Sequence, residues 1–385
     1  MTFTFDITLT RRTTCAPGAL SDLGRLILPL GRRALVAIGG GSVRRSGVLD
    51  RALESLSSVG VRATVFGGIE PDPSTETADA AAAACRESGA DMVIGLGGGS
   101  VLDCAKAAAV LATHEGGAAD YQMGRRQLER PGLPYVAIPT TSGTGSESNR
   151  VAVLTNRTEG IKKSVMDSSM VPMLAILDPE LTVLLPPFET AYTGIDALSH
   201  AAESFVSLNA NPVTSGWAIT ALELIGANLQ RAVADGTDLE ARAAMQIASA
   251  LGGAALNAGV GCAHMLAHPL GATFGIPHGV AIAAVLPAVF EANRIDAESQ
   301  YARIARALDP ECSGLPDAEA ATRAGSALRG LLERIGLCER LGGRGVTAAD
   351  FGRVYEGVLR SMGHIKTNPR PATRELLESI FAASL

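Results

Sequence analysis

The feature that most restricts how this chain can fold is a change of texture at Pro186-Pro187. Before it, short β-branched runs alternate with Ala-rich periodic stretches. Residues 33–38, 61–66, 91–96 and 133–138 read as buried strands, and 46–59, 75–88 and 100–113 read as the helices between them. Strands that alternate with helices predict a parallel sheet covered on both faces. Residues 151–155 and 174–177 read as further strands. After the proline pair, β-branched runs become scarce. Helical periods then cover residues 191–205, 214–234, 238–258, 279–292, 297–307, 318–335 and 348–362. The expected organisation is an α/β domain over residues 1–185 and an all-α domain over residues 186–385.

Composition agrees with two cores. A chain of 385 residues exceeds what one core ordinarily serves, and 47% hydrophobic against 19% charged residues excludes disorder. A net charge of -6 offers no attraction for a phosphate backbone, so no nucleic-acid partner is expected. The six cysteines form no CxxC pair, which argues against a zinc knuckle or a disulfide framework and for a reducing compartment. The amino-terminal MTFTFDITLTRR lacks the apolar core of a signal peptide, and Pro287 interrupts the longest apolar stretch, residues 279–290. A soluble, cytoplasmic protein with no membrane partner is expected.

Open parallel sheets bind ligands beyond the carboxyl ends of their strands. Two glycine clusters fall there, and the pentapeptide GGGSV begins at both Gly39 and Gly97. The second follows a strand and opens a helix, where backbone N–H groups suit an anion and glycine admits close approach. It departs from GxGxxG because Ser100 takes the final position. The competing reading is a tight turn with no ligand. The run Pro139 to Glu147, PTTSGTGSE, also follows a strand and concentrates hydroxyls and glycines suited to phosphate or ribose.

Four of the six histidines fall between positions 200 and 278. Asp196 and His200 stand at i and i+4, on one helix face. His264 and His268 repeat the spacing, and His278 follows at a helix start. A surface Asp–His pair and satisfied core histidines are the competing readings. Several unpaired imidazoles in an apolar stretch are costly, and one shared ion removes that cost. Three His and one Asp suit Fe(II) or Zn(II), and the residue types do not separate the two.

GGGSVLDCAK (Gly97 to Lys106), PTTSGTGSE (Pro139 to Glu147), DPEL (Asp178 to Leu181), GIDALSHAAE (Gly194 to Glu203) and CAHMLAHPLGATFGIPHG (Cys262 to Gly279) together resemble the iron-containing (group III) alcohol dehydrogenase family over nearly the whole chain. The resemblance implies a dehydroquinate synthase-like fold, with a Rossmann-like dinucleotide-binding domain, a helical metal-binding domain and the active site in the cleft between them. It implies Asp196, His200, His264 and His278 as ligands of Fe(II), with Zn(II) as the alternative, and His268 as a catalytic group near the nicotinamide. Gly97, Gly98, Ser100 and Asp103 would surround the pyrophosphate, Thr140, Thr141 and Thr144 would line the nucleotide, and Lys162 would reach the ribose, with Lys163 beside it.

Many NAD-preferring members carry an acidic residue at the end of the first strand, and by the resemblance that place here is Gly39. The run GGGSVRRS, Gly39 to Ser46, resembles the NADPH-dependent butanol dehydrogenase and aldehyde reductase branch. NADP(H) is therefore expected over NAD(H), with Gly39, Gly40 and Ser42 near the 2′-phosphate and Arg44 or Arg45 as counter-charge. The implied reaction is hydride transfer between nicotinamide and a metal-bound aldehyde or primary alcohol. Asn149 and Arg150 are read as substrate contacts, Arg150 favouring an aldehyde that carries a carboxylate or phosphonate. The family often forms dimers, so a homodimer is expected. Dehydroquinate synthase-like or sugar-phosphate and glycerol dehydrogenase chemistry on the same fold, and a non-catalytic nucleotide- and metal-binding sensor, are the alternatives.

Overall fold

The structure, a computed structural model, describes residues 4–361 and 365–385. Met362, the end of the last helical period expected from the sequence, lies outside the described residues. Contacts divide the chain into two compact units. One comprises Ile7–Thr141 and Gly145–Leu185; the other takes the segment ending at Asp6, then Ser142–Thr144 and Pro186–Leu385.

The α/β unit contains strands β1 (Thr13–Cys15), β2 (Arg33–Gly39), β3 (Arg62–Ile69), β4 (Met92–Gly97), β5 (Tyr135–Pro139), β6 (Val151–Asn156), β7 (Ile161–Met166) and β8 (Leu174–Leu177). Its helices are α1 (Leu23–Ile27), α2 (Ser42–Arg45), α3 (Val48–Ser57), α4 (Thr75–Ser88), α5 (Gly99–Leu111) and α6 (Ala118–Gln122). Six strands form a parallel sheet in the order β1-β8-β5-β4-β2-β3. Period-two alternation explains why both faces are buried. Leu35 and Ala37 of β2 pack with residues of α4 and α5, whereas Ala34, Val36 and Ile38 pack with residues of α1 and α3.

From β2 the chain goes to β3 on one side and returns to β4 on the other. That reversal makes the carboxyl ends of β2 and β4 a switch point, where such sheets take ligands. Gly39 and Gly97 end these two strands. Three features went beyond the sequence reading. The helix expected over residues 46–59 is preceded by the short α2, and Gly47, at φ 73°, separates α2 from α3. The strand expected over residues 151–155 lies outside the parallel sheet and pairs antiparallel with β7. Strands β1 and β7 are short and polar, TTC and IKKSVM, and carry no strong strand signal.

The helical unit contains α7 (Pro187–Val206), α8 (Pro212–Ala234), α9 (Leu239–Ala255), α10 (Cys262–Phe274), α11 (His278–Asn293), α12 (Glu298–Leu308), α13 (Asp317–Arg334), α14 (Phe351–Ser361) and α15 (Arg374–Ala383). Pro187 and Pro212 sit at helix starts, where a missing N–H costs nothing, and the Asn211 side chain caps α8 by accepting from the N–H groups of Val213 and Thr214. Small residues set the packing distances. A Cβ on Gly226 of α8 would lie 2.0 Å from the Ala307 carbonyl oxygen of α12. Among the described residues no single helix is long and apolar enough to cross a membrane; α9, extended to Ala258, and α10 reach that composition only as a pair bent by 107°.

Two glycines of one helix test this packing. Gly226→Ala is expected to destabilise the protein by about 2 kcal/mol through the backbone clash. Gly216→Ala, with nothing within 4 Å of the added carbon, is expected to stabilise it by ~0.5–1 kcal/mol. Urea denaturation of both variants checks the pair, and equal midpoints would refute the packing argument.

Candidate metal centre and glycine turns

Within the helical unit, α7 carries Asp196 and His200 one turn apart, both buried, and α10 carries the buried His264. One ligating atom from each of these three side chains lies within 4.8 Å of the others. His278 is the first residue of α11, and its Nε2 stands 3.5 Å from Asp196 Oδ1. His200 Nε2 is 3.9 Å from the same oxygen. Neither approach gives Asp196 Oδ1 a hydrogen bond. Ligands bonded at ~2.1 Å to one ion lie about 3–3.5 Å apart, so the set is close to what a single cation needs. His268, one turn beyond His264, stands beside the set: its ring centroid is 5.1 Å from that of His278 and 6.3 Å from that of His264.

Two atoms indicate what the cluster could hold. Asp196 Oδ1 and His264 Nε2 are buried and make no hydrogen bond. A buried carboxylate oxygen and imidazole nitrogen in that condition are costly, and a divalent cation would satisfy both at once. The donor set therefore fits a metal ion.

The remaining nitrogens are held by the scaffold. His264 Nδ1 donates to Glu203 Oε2 at 2.6 Å, and the Glu203 carboxylate also accepts the N–H groups of Gly261 at 2.9 Å and Ala263 at 2.7 Å. Glu203 thus fixes the start of α10 and the His264 ring together. Burial acts to raise the Glu203 carboxyl, but the hydrogen bond and charge of His264 and the two N–H donors outweigh it and hold it below the usual range. His200 Nδ1 donates to the Gly143 carbonyl at 3.3 Å. Burial, aided by His264, lowers the His200 pKa against the opposing pull of Asp196 and Gly143. With Nδ1 of each ring engaged by the scaffold, Nε2 is the nitrogen left to face an ion.

Glycines make these approaches feasible. A Cβ on Gly143 would lie 2.9 Å from Thr193 Cβ, and one on Gly279 would lie 2.2 Å from the Tyr192 carbonyl oxygen. Neither Glu203 nor Gly143 was read as functional from the sequence. Glu203 carried one signal, its place three residues after His200 on the same helix; a backbone carbonyl carries none.

In the α/β unit, the three expected turns gather at the switch point. Gly97 pairs with Pro139 across β4 and β5, and the Thr140 N–H donates to the Gly97 carbonyl at 3.0 Å. A Cβ on Gly97 would lie 2.7 Å from Val101, and one on Gly98 would lie 3.3 Å from Thr141, so these glycines let α5 and the threonine run close on the strand end. A Cβ on Gly40 would meet nothing within 4 Å, and Ser42, Arg44 and Arg45 are exposed.

Several expected contacts also carry scaffold bonds. Ser100 Oγ accepts the Asp72 N–H at 3.1 Å, and Lys162 Nζ bonds Asp72 Oδ1 at 2.6 Å. Asp72 is the one non-glycine residue with positive φ, 53°, among the described residues, and it escaped the sequence reading. Asp103 accepts from Ser146 Oγ at 2.6 Å and from the Val153 N–H at 3.0 Å. Asn149, read as a substrate contact, is buried and uses its amide internally: Oδ1 accepts from Lys106 and Val151, and Nδ2 donates to the Gly145 carbonyl. Arg150 is half-buried, and no ion pair engages it among the described residues.

The profile of the iron-containing alcohol dehydrogenase family matches residues 10–179, and that of the family's carboxyl-terminal domain matches residues 190–385. The long-chain-alcohol dehydrogenase 1 of Geobacillus thermodenitrificans is 39% identical over 95% of this chain and 93% of its own. The crystal structure of a 1,3-propanediol oxidoreductase superposes with a TM-score of 0.94 at 36% identity, covering 100% of both chains. That of the sulfoacetaldehyde reductase from Bifidobacterium kashiwanohense, in complex with NAD+, gives a TM-score of 0.88 at 30% identity over 99% of this chain and 98% of the other.

Glu203 supplies the test of the cluster. Glu203→Gln leaves one oxygen for three donors and is expected to weaken Fe(II) and Zn(II) binding ~10–100-fold without unfolding the protein. Metal content measured after dialysis against graded chelator checks it; wild-type retention would contradict the role assigned to Glu203.

Proposed function

The chain belongs to the iron-containing alcohol dehydrogenase family and is an alcohol dehydrogenase, and on that premise we propose that it reduces aldehydes with NADPH at a metal held by Asp196, His200, His264 and His278. The observation that carries this reading is the convergence of buried carboxylate and imidazole donors, two of whose atoms have no hydrogen bond. The net reaction is aldehyde, NADPH and a proton giving alcohol and NADP+.

When bound, a divalent ion supplies Lewis acidity toward the substrate oxygen, and the nicotinamide supplies the hydride. The protein's own groups do the rest. Glu203 and the Gly143 carbonyl hold His264 and His200 in the tautomer that presents Nε2. The burial of Asp196, His200 and His264 keeps competing water away from the donors. His268, adjacent to His278, is the group we assign to carry the proton to the substrate oxygen.

NADP(H) over NAD(H) is supported by the absence of a carboxylate at Gly39, the open space at Gly40 and the exposed Arg44 and Arg45. A substrate aldehyde bearing an acidic group is supported by the half-buried Arg150 and by the similarity to a sulfoacetaldehyde reductase. The same reading takes the protein as a cytoplasmic homodimer; a monomeric mass by light scattering would count against it.

The test follows NADPH and NADH oxidation on protein reconstituted separately with Fe(II) and Zn(II), over aldehydes from propanal to carboxylate- and sulfonate-bearing ones. NADPH should be preferred, and Arg150→Ala should lose the preference for the charged aldehydes about tenfold. Asp196→Ala and His264→Ala should lose metal and turnover together, whereas His268→Ala should keep metal with slowed turnover. An Asp196→Ala protein with full metal content would remove the proposed centre.

A further inference from the structure

Lys106 lies on the third turn-forming stretch of α5, seven residues after Gly99, and is 0% exposed. A buried ammonium is costly unless its protons are all engaged. Here they are. Nζ donates to the Asn149 carbonyl at 3.1 Å, to Asn149 Oδ1 at 3.1 Å and to the Val151 carbonyl at 2.6 Å. Three acceptors match the three protons of an ammonium; a neutral amine has two, and would set its lone pair against a carbonyl oxygen.

The acceptors belong to the segment that follows the threonine run. Asn149 in turn bonds the Gly145 carbonyl and the Val151 N–H, so one lysine organises Gly145 to Val151 through a single asparagine. Asp103, one turn earlier on α5, fixes Ser146 and Val153. Upstream, Thr140 is tied to Gly97 by its N–H, and Thr141 lies against Gly98. The helix that opens at the glycine turn therefore also anchors the chain that returns from it.

We infer that Lys106 is a positioning residue for dinucleotide binding: through Asn149 and Val151 it holds the segment Gly145 to Val151, and with it the Thr140-Thr141 run, in the conformation the cofactor requires. The inference rests on the reading of these turns as the cofactor site given above. The ionisable groups facing Lys106 are Asp103 on its own helix and Glu147 from the following segment. Lys162 of β7 acts on Asp103, and the same two carboxylates act on Tyr135 of β5, whose hydroxyl donates to the Leu102 carbonyl. Burial pushes the Lys106 ammonium down to about 8, against the opposing pull of Asp103 and Glu147. The ammonium is then present below about pH 8 and lost above it.

The experiment is calorimetric titration of the metal-loaded protein with NADP+ and with NAD+ at pH 7 and at pH 9.5, for wild type, Lys106→Met and Lys106→Arg. Metal content, read on the same samples, reports that each variant has a folded helical unit. Wild-type affinity should fall about tenfold from the lower to the higher pH. Lys106→Met should bind about tenfold more weakly at pH 7 and show no such fall, and Lys106→Arg, charged throughout, should flatten the profile. A folded Lys106→Met protein with wild-type affinity at pH 7 overturns the inference. So does a wild-type affinity that is unchanged between the two pH values, a result that needs no variant to fold. Wild-type protein that binds neither dinucleotide would instead overturn the cofactor site itself, and the inference with it.

Discussion

A buried carboxylate oxygen with no hydrogen-bond donor is the constraint on which the helical unit depends. Asp196 Oδ1 sits inside a wall of apolar helices, with imidazole nitrogens of His278 and His200 at 3.5 and 3.9 Å. In a core packed to this degree, such an atom is tolerated only if something completes it. The surrounding structure is arranged as though for that completion. Glu203 turns His264, Gly143 turns His200, and the close contact of Gly279 with Tyr192 brings the start of α11 against α7. Each acts one bond away from the donor set rather than within it, which is how orientation of metal ligands is ordinarily secured.

The α/β unit solves a different problem with similar means. Its ligand is expected to be large and anionic, so it needs exposed backbone N–H groups and room, not buried charge. Glycine supplies both at the ends of β2 and β4, the strands between which the sheet reverses direction. The cost of so permissive a turn is met by α5. Gly97 packs on Val101, Asp103 and Lys106 hold the returning segment, and Asp72 links Ser100 to Lys162. A polar network with this many satisfied members rigidifies the chain around the glycines.

Much of this was legible in the residues. The alternation before Pro186 and the helical periods after it located most elements, because both rest on hydrophobic periodicity. The i,i+4 pairs located Asp196, His200 and His264, since helix geometry converts spacing into a shared face. The supporting groups were not legible. Glu203 reads as an ordinary polar helix residue until α10 is seen packed beside it. Lys106 enters the sequence reading only as the end of a motif, and its burial goes with Asn149, which is 43 residues away. Asn149 is read from the sequence as a substrate contact, and in the structure its Oδ1 accepts from Lys106 and Val151 while Nδ2 donates to the Gly145 carbonyl. The hairpin of β6 and β7 was missed for a local reason: two lysines mask the alternation of Ile161 to Met166.

Anomalous X-ray diffraction at the iron edge, on crystals of protein loaded with Fe(II) without oxygen, tests the central claim most directly. One peak is predicted, bonded to Asp196, His200, His264 and His278, with His268 outside bonding distance. A peak elsewhere in the molecule, or one coordinated by His268 in place of Asp196 or His278, would contradict it.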